Sequence, residues 1–373
     1  MTASFPHAET VVDLGAVRHN VSLLAARAPG AAVMCVVKGD AYGHGAVPVS
    51  RAAVEAGASW LGTCSLQEAL DLRAAGLSVR LFSWLDVPEL DFTPGIEADI
   101  DLGVSSLSEL ARVDAAAQRA GKRARVHLKI DTGLARNGCP PAAWPELVEA
   151  AAKARGVEVV AIWSHLACAD ELGHASIDAQ AKLFAEAYDA ARAAGLDPIR
   201  HLANSAATLT RPDLHFDLVR PGIAMYGLNP VPTDDDLRPV MTFRSTVVLT
   251  KPLAAGESVS YGHTWTAQED TTLALVPAGY ADGVPRTLSG RMDVWLGGRR
   301  RPVVGRICMD QLVVNVGNED VPDIGDEVVL FGAGRSGEPT AREWADKLGT
   351  IDYEIVTSMY RPRVRRRYVG EQA

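Results

Sequence analysis

Short apolar runs alternate with amphipathic stretches along the first two-thirds of the chain. The runs fall at residues 33–37, 60–64, 80–82, 99–104, 125–129, 157–165, 199–203 and 218–220. Their length and β-branched content predict buried strands. Between most of them, apolar positions recur at helical spacing. Leu183, Phe184, Ala187, Tyr188 and Ala191 put one apolar face on a helix that should stop near Gly195, a natural C-terminal cap. Strands alternating with helices predict βαβ units and a parallel sheet. Eight such strands in about 200 residues predict a closed (β/α)8 barrel of the TIM type. An open doubly wound sheet is the competing arrangement.

The pattern breaks at NPVPTDDDLRP, residues 229–239, where proline and aspartate predict a linker. Beyond it, β-rich runs at 242–250, 258–261, 273–277, 293–296, 302–304, 311–316 and 327–331 are separated by glycine-bearing turns. One late helix is expected at 341–348. The expected class is therefore α/β plus all-β. The barrel should take residues 1–235 and a mostly β domain residues 236–373.

Composition adds exclusions. The chain has 373 residues, 47% hydrophobic and 22% charged, which is ordinary for a globular protein. The formal charge of −9 disfavours an extended nucleic-acid surface or an anionic membrane as partner. Five scattered cysteines, with no C-x-x-C pair, argue against a disulfide framework or a zinc site, and no metal is expected. No basic and apolar leader opens the sequence and no run is long enough to span a bilayer, so a cytoplasmic location is expected.

A barrel of this kind carries its chemistry at the C-terminal ends of its strands. The first predicted strand ends in Lys38. The fifth ends in Lys129, with Arg136 close behind, and the sixth ends in His165. The seventh is followed by Asn204 and Ser205, and the eighth ends in Arg220 before Pro221 and Gly222. Lysines number only seven against thirty arginines, so a lysine at a strand end stands out. Unlike arginine, lysine can shed its proton and join covalently to an aldehyde. Lys38 opens KGDAYGHG, whose glycines permit a tight loop, and Tyr42 offers a hydroxyl to a phosphate. Ser205 and the Gly222–Ile223 backbone lie where barrels usually bind phosphate. A snorkelling lysine at Lys38, a helix cap at Ser205, a packing residue at Tyr261, a surface ion pair at Arg136 and a core histidine at His165 are the plain alternatives.

The segments AVMCVVKGDAYGHG, HLKIDTGLARNG, SHLACAD, HLANSAATL, LVRPGIAMYGL, SVSYGHTW, PAGYADGVPR, GRICMDQ and IDYEIVTSMYRPR resemble, in that order, those of the alanine racemases. The resemblance covers nearly the whole chain. It implies a barrel plus β domain, pyridoxal 5'-phosphate as cofactor, alanine as substrate and a homodimer. It implies that Lys38 carries the cofactor and is one of two acid/base groups, and that Tyr261 is the other, reaching in from the partner subunit. His165 resembles the histidine beside that tyrosine. Arg220 resembles the arginine at the cofactor's pyridine nitrogen, and Arg136 the one near its phenolic oxygen and the substrate carboxylate. Lys129 matches a lysine that is often carbamylated and orients that arginine. Tyr42, Ser205, Gly222, Ile223 and Tyr353 match the phosphate-binding set, with Asn204 beside it. Met309 resembles the residue whose backbone holds the substrate carboxylate, with Asp310 next to it. Asp170, Arg286, Arg306 and Ile351 resemble the substrate gate.

Chemistry agrees with the resemblance. Racemisation takes a proton from one face of a carbon and returns one to the other, so two bases on opposite sides are needed. Nearby cations such as His165 or Arg220 are expected to lower the pKa of Tyr261. An arginine at the pyridine nitrogen favours racemisation over aminotransfer. A racemase for a larger amino acid, a decarboxylase of the same architecture and a non-enzymatic cofactor-binding protein are the alternatives. The run GAGRSG at 332–337 satisfies G-x-G-x-x-G, but Pro339 precedes any helix, so a surface turn is expected there instead of a dinucleotide site. The basic tail at 361–367 is expected to be a strand with a solvated face.

Overall fold

A computed structural model describes residues 7–370. The chain divides into two compact units. One comprises residues 17–41 and 45–237. The other comprises, among the described residues, 7–16, 42–44 and 238–370.

After β1 (Glu9–Asp13), which belongs to the second unit, eight strands build the first. They are β2 (Ala32–Val36), β3 (Trp60–Thr63), β4 (Arg80–Ser83), β5 (Ile100–Val104), β6 (Ala124–Lys129), β7 (Val157–Trp163), β8 (Ile199–His201) and β9 (Leu218–Val219). All seven pairings are parallel, in the order β8-β7-β6-β5-β4-β3-β2-β9. Beyond the ladders, the Arg220 N–H donates to Ala203 O at 2.9 Å and the Asp217 N–H to Arg200 O at 3.2 Å. These bonds stitch β8 to β9 and close the sheet nearly into a barrel. The open doubly wound alternative is thereby excluded. The strands are buried almost throughout because helices cover their outer faces. The helix Ala175–Ala193 ends as its spacing foretells, with Gly195 at φ +86° just past the cap.

Strand alternation fills the barrel interior with Asp101, His127, Lys129 and His201, all buried, against Trp60, Phe82 and Trp163. Trp163 lies flat on His201, with centroids 5.6 Å apart and planes at 9°.

The second unit contains β10 (Met241–Thr246), β11 (Leu249–Leu253), β12 (Ser258–Val259), β13 (Trp265–Thr266), β14 (Thr271–Val276), β15 (Asp293–Leu296), β16 (Arg299–Val304), β17 (Leu312–Asn315), β18 (Glu327–Phe331) and β19 (Arg365–Val369). Nine strands form one sheet in the order β11-β14-β17-β16-β15-β18-β10-β1-β19, and β12 pairs with β13. The late helix is Ala341–Leu348, followed by a second, Asp352–Ser358. The basic tail supplies β19, which runs parallel to β1.

Two expectations change here. The run at 242–250 is two strands, not one. Val247 N–H bonds to Asp326 O beside β18, whereas Val248 N–H bonds to Leu275 O of β14, so the chain changes partners between them. The run at 258–261 does not keep Tyr261 on a strand. Ser260 takes φ +63°, which no strand allows, and Tyr261 starts a 3-10 turn, Tyr261–His263.

The glycine-rich 332–337 segment is a turn after β18. Its Gly334 and Ser336 amides donate to the two carboxylate oxygens of Glu338, both at 2.8 Å. Those donors are already engaged by an internal anion. No helix among the described residues is long and apolar enough to cross a membrane.

Candidate active site

The loop that follows β2 begins at Lys38. Gly39, Asp40, Ala41 and Tyr42 all sit in the left-handed region, with φ between 53° and 61°. Three of them carry a Cβ, and such residues cost about 1–2 kcal/mol each there. Hydrogen bonds hold the turn. Gly39 N–H donates to Glu68 Oε1 at 2.6 Å, Ala46 N–H to Asp40 Oδ1 at 2.7 Å and Ala41 N–H to Val37 O at 2.8 Å. Glu68 also completes the capping box of the helix Leu66–Ala74 with Ser65. One carboxylate thus starts a helix and fixes the loop that presents Lys38. The Lys38 ammonium lies 5.8 Å from the centroid of Trp84.

Lys129 ends β6 inside the barrel. Its Nζ donates to Asn137 Oδ1 and stands 4.3 Å from the Trp163 ring centroid. Burial, with Arg220, Arg136 and Lys38 adding to it and Asp131 opposing, brings its pKa down to about 7. Arg136 is exposed in the loop after β6, next to Ala135 at φ +54°.

Arg220 is 5% exposed. It donates to Ser164 O at 2.7 Å, Leu202 O at 3.2 Å, His201 Nδ1 at 3.0 Å and His165 Nδ1 at 3.3 Å. Every one of these acceptors is neutral, and among the described residues no carboxylate pairs with this arginine. His165 is held well below the usual imidazole range by burial first, then by Arg220, Arg136, Lys129 and Lys38. It is therefore a neutral ring, which corrects the expectation of an imidazolium at this position.

Asn204, not Ser205, caps the helix Ser205–Thr210, its Oδ1 accepting from Ala207 N–H at 3.1 Å. Ser205 Oγ instead accepts from the backbone N–H groups of Gly222 at 2.8 Å and Ala224 at 3.3 Å. Ile223 lies between those two donors, at the start of a short 3-10 turn.

The barrel unit thus brings Lys38, Lys129, Arg136 and Arg220 around His165, with a backbone-amide corner at Ser205. Lys38, Arg136 and Arg220 around a neutral imidazole, with Lys129 brought down to about 7, fit a ligand bearing anionic oxygens. The donor set fits pyridoxal phosphate: an amine to join its aldehyde, a buried arginine for its ring nitrogen and, for its phosphate, the Ser205 hydroxyl, which accepts two amides and keeps its own proton to donate. Asp170 is exposed in the loop after β7.

Other expected residues lie in the second unit. Tyr42 and Tyr353 pair with ring centroids 5.9 Å apart, and burial, then Tyr353, pushes the Tyr42 hydroxyl up, so it stays a donor. Tyr261 is 69% exposed. Its turn is pinned by Ser260 Oγ donating to Arg306 O at 2.7 Å, and a Cβ on Gly262 would sit 2.8 Å from Arg306 Nη1. Met309 is exposed, and its carbonyl accepts from Ala281 N–H at 2.9 Å. Asp310 pairs with Arg363 at 2.6 Å. Arg286 opens a 3-10 turn, and exposed Ile351 precedes the helix that carries Tyr353.

Buried polar residues His127, His201 and Asp101 escaped the expectations. The signal existed: residues 125, 127 and 129 alternate toward the barrel interior and none of them is apolar.

Barrel and cation cluster together gather lysine and arginine side chains at the strand ends, the place where a barrel enzyme carries its site. The model of the alanine racemase N-terminal domain matches residues 12–230 and that of the C-terminal domain residues 240–368. An alanine racemase of Salinispora arenicola is 54% identical over 370 residues, which is 98% of this chain and 99% of that protein. The crystal structure of alanine racemase from Streptomyces lavendulae matches with a TM-score of 0.95 at 51% identity, covering 99% of this chain and 98% of that one. The alanine racemase of Bartonella henselae, solved with covalently bound pyridoxal phosphate, matches at 0.88 and 29% identity over 97% of this chain and 99% of that one. The chain belongs to the alanine racemase family.

Proposed function

We propose that this protein interconverts L- and D-alanine with pyridoxal phosphate, through Lys38 and a Tyr261 contributed by a second copy of the chain. The observation that carries the cofactor assignment is the surplus of positive charge around His165, with Arg220 buried among neutral acceptors.

Bound there, pyridoxal phosphate would acidify the α-C–H of the amino acid by drawing the electrons left behind into its ring. The chain's own residues do the rest. Lys38 Nζ and Tyr261 Oη hold and return a proton on opposite faces of the α-carbon. Arg220 donates to the ring nitrogen and, having no acceptor, keeps it unprotonated. Arg136 and the Met309 backbone, with Asp310 alongside, orient the substrate carboxylate. Ser205, Gly222, Ile223, Tyr42 and Tyr353 hold the phosphate. Lys129, neutral near its lowered pKa, can take up carbon dioxide as a carbamate that orients Arg136. Arg286, Arg306, Asp170 and Ile351 form the substrate gate. The exposure of Tyr261 within one chain supports a shared site, since a base must be shielded from water to work in a racemase.

Mixing inactive Lys38→Ala and Tyr261→Phe variants tests the shared site. Subunit exchange should restore activity, read as D-alanine formed from L-alanine by chiral chromatography. No recovery, with exchange demonstrated, would refute it.

A further inference from the structure

A hydrogen-bonded line inside the barrel is left unused by these roles. Arg220 Nη1 meets His201 Nδ1 at 3.0 Å, His201 Nε2 meets His127 Nδ1 at 2.9 Å, and His127 Nε2 meets Asp101 Oδ2 at 3.3 Å. Arg125 Nε closes the far end on Asp101 Oδ1 at 2.8 Å. His201, His127 and Asp101 are fully buried.

Protonation along the line is forced. Arginine only donates, so His201 Nδ1 accepts and carries no proton. Burial keeps both rings neutral: it lowers His201, helped by Arg220 and His127, and it lowers His127 against the opposing pull of Asp101. A neutral ring has one N–H, so His201 bears it on Nε2 and donates to His127 Nδ1. The proton of His127 is then also on Nε2 and points at Asp101. Neither ring can swing. Phe82 stacks on His127 at 4.1 Å and 17°, and Trp163 stacks on His201. The second terminal nitrogen of Arg220 is anchored separately on Ser164 O and Leu202 O.

We propose that His201 and His127 are positioning residues for Arg220, holding its guanidinium as a fixed donor through a continuous run of Nε2–H tautomers that ends on Asp101. Two aligned imidazole dipoles join a buried cation to a buried anion, so the charge on Arg220 is balanced without a carboxylate beside the cofactor ring. A carboxylate at that distance would compete for the guanidinium's donors. The inference rests on the assignment of Arg220 to the ring nitrogen.

Histidine-labelled, cofactor-loaded protein should show the His201 and His127 imidazoles by nitrogen NMR with protonated Nε2 and bare Nδ1 at neutral pH and above. His127→Phe removes the acceptor that His201 needs. It should lower kcat about 10- to 100-fold with KM little changed, and shift the absorbance of the bound cofactor. His127→Gln, whose amide both accepts and donates, should recover most of the loss. A proton on Nδ1 of either ring in the unaltered protein would overturn the proposal. So would a folded His127→Phe variant with unchanged kcat and absorbance. Racemisation by the unaltered protein, run alongside, judges the assigned reaction, while the tautomers judge the line whatever that result.

Discussion

Ser205 Oγ accepts the backbone N–H of Gly222 at 2.8 Å, tying the start of the helix after β8 to the turn after β9. The hydroxyl satisfies a buried amide and keeps its own proton to donate to a phosphate oxygen. Ser205→Ala leaves that amide unpartnered, which costs about 1–3 kcal/mol. Cofactor affinity should fall about tenfold, which at 1.4 kcal/mol per decade lies within that cost. Denaturant unfolding and a fluorescence titration with pyridoxal phosphate read the two effects, and no change in either would remove Ser205 from the phosphate set.

Lys129 should respond to pH within an unusually low window. Its pKa is lowered to about 7 in the folded chain, against about 10.4 when unfolded. Between those values the unfolded state binds the extra proton, so the stability lost by burying this ammonium is recovered as pH rises through the window. Below about pH 7 the loss is complete. With labelled bicarbonate, carbon NMR should show a carbamate signal that grows above about pH 7 and is absent in Lys129→Arg. A signal that persists in that variant would place the adduct elsewhere.

Gly279 is required by contact, not by its backbone angles. A Cβ there would meet Met309 O at 2.3 Å and Cys308 O at 2.4 Å, both backbone atoms that cannot rotate away. Gly279→Ala should break the Tyr280 N–H to Cys308 O and Ala281 N–H to Met309 O bonds and cost about 3 kcal/mol. KM for alanine should rise as Met309 shifts. A variant with unchanged unfolding midpoint and KM would mean that the Cys308–Met309 backbone is freer than its contacts imply.

The barrel was legible because most of its strands carry short, largely buried apolar runs, and helical periodicity marks the gaps. The strands Asp293–Leu296 and Glu327–Phe331 and the helix Ala341–Leu348 also fell where their patterns put them. What failed depended on distant partners. Glu9–Asp13 is a strand because β10 and β19 flank it, with Glu9 buried against Arg244 at 2.6 Å. The break at Val247 arises from a change of neighbours, which no local pattern encodes. Ser260 carries no glycine to announce its positive φ, so Tyr261 read as a strand residue. The cationic residues at strand ends were legible from barrel geometry alone. Their neutral acceptors were not, because interior polar residues on β5, β6 and β8 interrupt the apolar alternation without naming their partners.

The proposed reaction needs two bases on opposite faces of the α-carbon. Proton NMR of L-alanine in D2O with the cofactor-loaded protein, followed by separation of the enantiomers, tests this directly. The D-alanine formed early should carry deuterium at the α-carbon, while the remaining L-alanine still carries its proton. D-alanine that retains the original proton would mean that one base serves both faces, and an L-alanine signal that never declines would contradict alanine as the substrate.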